Sequence, residues 1–156
     1  MAALVAFACG KKQDNSTGAA APSATAASAG PRTVEITAND QMKFSVTHID
    51  AKAGEQLTVV LTNTGTQPVE VMGHNWTLLK KGSDVAAFDL AASKEKQSDY
   101  FPESLAGEVI AHTKLLGPRK SDQVTFTVPS EPGDYPFLCT FPAHYQVGMK
   151  GELTVK

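Results

Sequence analysis

The chain predicts an all-β fold, a sandwich or barrel of short strands with one short helix. Three observations carry this expectation. Runs of five to eight residues rich in β-branched and aromatic side chains recur along residues 32–156, the pattern of half-buried strands. Turn signals separate the runs: Ala53-Gly54, Thr64-Gly65, Gly117-Pro118 and Glu131-Pro132-Gly133. Only Ser83–Lys96 breaks the rhythm.

Thr33–Thr37 alternates apolar and polar residues, and Leu57–Asn63 and Asn75–Leu79 follow. The Ala-rich Ser83–Lys96 reads as a helix, with Ser83 placed to cap it and Lys94 and Lys96 near its negative end. It forms a flap between two strands. Val109–Leu116, Gln123–Val128, Asp134–Cys139 and Glu152–Lys156 complete the strands. Short strands at this spacing suggest an antiparallel arrangement.

The 156 residues divide in two. Residues 1–9 are apolar and end at Cys9, and residues 10–31 hold no aromatic or large aliphatic side chain. Residues 1–31 therefore read as a signal remnant followed by a disordered Ala/Ser/Pro-rich tether, which has too little to bury to offset the entropy of ordering. Residues 32–156 form one domain with a modest core. Across the whole chain 14 Lys and Arg stand against 16 Asp and Glu, a net charge of −2. No basic surface for nucleic acid is expected. No run of 18 apolar residues is present, so no intact transmembrane helix is expected. Two distant cysteines, Cys9 and Cys139, do not make a disulfide framework.

The chemistry concentrates in Cys139-Thr140-Phe141-Pro142-Ala143-His144-Tyr145-Gln146-Val147-Gly148-Met149. A thiol, an imidazole and a thioether share one loop between two strands. Upstream, Met72-Gly73-His74-Asn75 sits where another loop enters a strand. Two His, one Cys and a Met are the donors of a blue-copper site, and zinc suits similar ligands. His48 and His112 have no ligand-type neighbour and read as ordinary histidines.

Several segments resemble the azurin family of cupredoxins: Asn39–Phe44 (NDQMKF), Val71–Trp76 (VMGHNW), Val109–Leu116 (VIAHTKLL), Cys139–His144 (CTFPAH) and Met149–Lys156 (MKGELTVK). The likeness is strongest to azurin-like domains on lipoprotein tethers. It implies an eight-stranded Greek-key β-sandwich, cupredoxin-like, with one short flap helix and one type 1 copper ion. It carries the equatorial ligands onto His74, Cys139 and His144, the axial thioether onto Met149 and the opposite axial carbonyl onto Gly73. Asn75 and the Phe141 N–H would support the Cys139 sulfur and the loop. Trp76 would be the buried core indole, and Met42 and Met72 would belong to an apolar rim.

Three departures from the azurin pattern stand out. Four residues separate His144 from Met149 where azurins usually have three, a spacing more like the auracyanins. Gly148 would absorb the extra residue as a bulge, and Gln146 is the rival axial side chain. The family disulfide is missing. Asn63 stands where many azurins place a titrating His, so no pH switch is expected there.

Cys9, after an apolar stretch and before the tether, looks like the lipidation site of a bacterial lipoprotein with an incomplete signal peptide. The expected location is the periplasm or cell envelope. The expected function is one-electron transfer with redox partner proteins, docked at an apolar patch around His144. A copper carrier or buffer is the alternative. An enzyme with Cys139 as nucleophile and His144 as base leaves His74 and Met149 unexplained. A binuclear copper site would need a second loop cysteine.

Overall fold

The computed structural model describes residues 30–156. Residues 1–29, Cys9 among them, lie outside the described residues, and with them the expectations of a lipidated Cys9 and a tether. Within the described residues the strands are β1 (Arg32–Ala38), β2 (His48–Ala51), β3 (Gln56–Asn63), β4 (Thr77–Leu79), β5 (Val109–His112), β6 (Ser121–Thr127), β7 (Gly133–Leu138) and β8 (Lys150–Val155). Two short helices, α1 (Val69–Met72) and α2 (Val85–Ala92), accompany them.

The strands make a three-stranded sheet, β1-β3-β6, and a five-stranded sheet, β2-β8-β7-β4-β5. Alternation along each strand sends one set of side chains inward. Ile36, Leu57, Val59 and Leu61 from the first sheet join Ile49, Leu78, Phe137, Leu153 and Val155 from the second in one buried cluster. Trp76 is fully buried, its ring 5.5 Å from Phe137 and 6.1 Å from Phe126. The expected β-sandwich with a flap helix is thus present.

Helix α2 covers the outer face of the second sheet. Leu78 points into the main core, while its neighbour Leu79 packs on the other side with Leu138 and Phe88 of α2. Strand β4 is buried on both faces as a result.

Some local expectations change. The sheets are mixed, because β1 pairs with β3 and β2 with β8 in parallel. Strand β2 is not among the runs read from the sequence; its four residues extend against β8, more than 100 residues away. Helix α2 is shorter than Ser83–Lys96. Asp84 caps it in place of Ser83, its carboxylate accepting from the Ala87 N–H at 3.0 Å. Ser83 instead closes a turn onto the Lys80 carbonyl. After Ala92 the chain tightens into a 3₁₀ turn, and Asp99 and Tyr100 take left-handed conformations, which end helical propagation. Strand β5 stops at His112. Beyond it Thr113 bonds Trp76, Lys114 bonds Asp122, and Leu116 bridges to His74.

Candidate metal centre

Sheet pairing assembles the site. Strands β4 and β7 run antiparallel with Thr77 opposite Leu138, so the start of β4 and the end of β7 share one end of the sheet. His74 lies just before β4 and Cys139 just after β7. Strands β7 and β8 are also antiparallel, with Leu138 opposite Lys150, which returns Met149 to the same end. The Cys139 N–H donates to the Met149 carbonyl at 3.1 Å and closes the loop at its base.

Within that loop the His144 N–H donates to Phe141 at 3.1 Å and the Met149 N–H donates to His144 at 2.9 Å. These bonds turn the His144 ring back toward Cys139. Gly148 adopts φ 95°, a left-handed conformation suited to glycine.

The donor atoms of His74, Cys139 and His144 lie within 4.8 Å of one another, and all three residues are buried. Cys139 Sγ is 4.0 Å from His74 Nδ1 and 3.4 Å from His144 Nδ1. The two imidazole centroids are 4.9 Å apart. Met149 is fully buried at the end of the same loop. Gly73 is the C-cap of α1. A Cβ there would sit 2.8 Å from the Val69 carbonyl and 3.0 Å from Leu115, so the close approach of these segments needs glycine.

Burial sets the electrostatics. It pushes the Cys139 thiol up to about 12, against the pull of backbone hydrogen bonds from Asn75 and Phe141. It pushes His144 down to about 4, reinforced by the nearby His74. It also lowers His74, opposed by the Asn39 backbone and the Asp40 charge. Among the described residues His74 Nε2 is buried with no partner at full hydrogen-bond geometry. Two imidazoles kept neutral and one thiol that loses its proton to a metal form a donor set for a soft or borderline ion.

Asn75 locks the two ligand segments together. Its Oδ1 accepts from the Thr140 N–H at 2.8 Å, and its Nδ2 donates to Thr140 Oγ1 at 2.7 Å. Thr140 was not singled out from the sequence, since a Thr between Cys and Phe carries no signal of its own. Asp89 was also missed. It is buried on α2 beside Phe88 and bonds the Gln146 side chain. A carboxylate within the apolar stripe Phe88–Ala92 was the available clue. The Gln146 amide is turned toward α2. Asn63, where no titration was expected, donates to the Leu116 carbonyl and accepts from the Gly65 N–H.

A model of the copper-binding plastocyanin/azurin family matches residues 32–156. The chain belongs to that family. Azurin of Pseudomonas aeruginosa is 43% identical over 129 residues, covering 79% of this chain and 84% of the azurin. Azurin of Bordetella pertussis is 40% identical over 123 residues, covering 77% and 81%. Among solved structures, a dithionite-reduced auracyanin of Roseiflexus castenholzii is 40% identical with a TM-score of 0.71, covering 80% of this chain and 96% of that one. Auracyanin B is 34% identical with a TM-score of 0.70, covering 80% and 88%. Copper is therefore the cofactor of this family member, and the buried set His74, Cys139 and His144 fits it.

Proposed function

We propose that this copper protein carries single electrons between redox partner proteins, which dock at an apolar surface around His144. The observation that carries this reading is the convergence of His74, Cys139 and His144 in a buried cluster. Bound copper supplies one reversible electron between Cu(II) and Cu(I). The chain supplies the rest. His74, Cys139 and His144, together with Met149 and the Gly73 carbonyl, would hold the ion, and their burial would keep bulk water out. The Asn75–Thr140 bonds hold the ligand segments in one arrangement, so little rearranges when charge changes.

The rival readings draw less support. A nucleophilic Cys139 needs its thiolate, yet burial raises the thiol to about 12. A copper carrier needs ready exchange, which two buried side-chain bonds across the site oppose.

Met149→Ala should still bind copper through His74, Cys139 and His144, with a changed reduction potential. Loss of binding in Met149→Ala, with a spectral change in Gln146→Ala, would move the axial role to Gln146.

The docking surface has its own support. Met72 is partly buried two residues before His74, and Val71 and Val147 are 57% and 47% exposed. Lys43, next to Met42, donates to the Val147 carbonyl at 3.3 Å and so ties that turn to the ligand loop. A small apolar face suits brief encounters. Met72→Glu should slow electron self-exchange at low salt and leave the copper spectrum unchanged, while Lys94→Glu should matter much less. Equal self-exchange in wild type and Met72→Glu would place the docking surface elsewhere.

The same proposal sets the protein in the periplasm or cell envelope, tethered through lipid on Cys9. Cys9→Ser, expressed behind a complete signal sequence, should then release a soluble blue protein. An unlabelled wild type in fatty-acid labelling would refute the anchor.

A further inference from the structure

Asp89 is 1% exposed on α2, a helix whose other residues include Ala86, Ala87, Ala91 and Ala92. A buried carboxylate is costly unless it is paired, and Ala would favour the helix more. The one side-chain partner of Asp89 among the described residues is Gln146, whose Nε2 donates to Oδ2. Asp89 Oδ1 has no hydrogen-bond partner among those residues. Burial raises this carboxyl to about 6, while the Gln146 donor pulls it back.

Gln146 lies between His144 and Met149, in the stretch that exceeds the azurin spacing. The Cys139 half of the loop is tied down by Asn75 through Thr140. Beyond the packing of Tyr145, the other half has three side-chain ties among the described residues. Two involve exposed lysines: Lys43 on the Val147 carbonyl and the Lys150 ammonium 4.8 Å from the Tyr145 ring centre. Water competes for such contacts. The third is Asp89, on a helix anchored through Phe88 against Leu79 and Leu138, with Tyr145 packed on the same cluster.

We infer that Asp89 is a positioning residue for the copper loop, acting through Gln146 to hold the His144–Met149 segment against α2. The inference rests on the proposed copper-ligand role of that loop. In it, Asn75 and Asp89 are paired clamps, one on each half of the loop. The flap helix then has a task in the copper site as well as in covering the sheet.

The experiment compares wild type, Gln146→Ala, Asp89→Ala, Asp89→Asn and the double alanine variant, each metal-free and loaded with Cu(II). In the metal-free wild type, NMR should show slowly exchanging Gln146 side-chain amide protons, and Asp89→Ala should remove that protection. With copper, each alanine variant should change the visible band ratio and release the ion about tenfold faster, the lower end of what outer hydrogen-bond partners contribute. The double variant should do no more than either single one. Asp89→Asn, which keeps an acceptor for Gln146, should restore release to within about twofold of wild type, the conservative rescue expected of a positioning residue.

Gln146 is exposed, so its alanine variant should fold even if Asp89→Ala does not. An unprotected Gln146 amide, or alanine variants with wild-type spectrum and release, would overturn the clamp. Fully additive effects would overturn it as well. A wild type that takes up Cu(II) without visible colour would instead overturn the electron-carrier reading, and the metal-free NMR result would still decide the clamp.

Discussion

Cys139→Ser should give a folded, colourless protein when Cu(II) is added. Cys139 is fully buried, with its Sγ facing the Nδ1 atoms of both His74 and His144. The intense visible absorption of a blue-copper site arises from its thiolate bond. A serine hydroxyl is harder and holds its proton at any accessible pH, so that absorption should vanish entirely. The fold should persist. The side chains are similar in size, and the backbone N–H groups of Asn75 and Phe141 that face the sulfur can meet an oxygen. The stability change should be about 1 kcal/mol, the scale of one exchanged hydrogen bond. Visible absorption with added Cu(II), beside far-ultraviolet circular dichroism, checks both statements. Blue colour in the variant would remove Cys139 from the site.

Asn75→Ala should destabilise the metal-free protein by about 3 kcal/mol. Thr140 is fully buried, and Asn75 satisfies both its N–H and its hydroxyl. Removing the amide leaves two buried polar groups unpaired, each costing about 1–3 kcal/mol. Thr140→Val removes only the hydroxyl contact and should cost about 1 kcal/mol. The loaded variant should also release copper faster, by about 10–100-fold, because the His74 and Cys139 segments lose their direct tie. Denaturant unfolding of the metal-free forms and stopped-flow transfer of copper to a chelator measure the two effects. A loss below about 1 kcal/mol in Asn75→Ala would show that other contacts join these loops.

Much of the site was legible because covalent spacing does part of the work. Cys139, His144 and Met149 lie on one loop, and any β-hairpin returning from β7 to β8 brings its ends together. The extra residue between His144 and Met149 was visible, and so was Gly148, which takes a left-handed conformation there. The strands with strong alternation, β1 and β3, lie close to where periodicity put them.

Weaker signals misled or said nothing. Ser83 and Asp84 are both capping residues, and only the local backbone decides which side chain reaches Ala87. His48–Ala51 is too short to declare itself and extends because β8 offers it hydrogen bonds. Val109–Leu116 reads as one strand, but its last residues are spent on Trp76, Asp122 and His74.

By itself the sequence determined an all-β domain and a Cys–His–Met loop whose donor types suit copper. Composition, period-2 alternation and residue spacing are local properties, and they survive without knowledge of any partner. Only the tertiary structure decided the rest. His74 is 65 residues from Cys139, and the antiparallel pairing of β4 with β7 places their rings and sulfur together. That same packing buried Asp89 beneath Gln146 and joined Asn75 to Thr140. Long-range contacts of this kind are chosen by which faces can bury apolar surface together and which polar atoms must then find partners. Neither condition is written in a single segment.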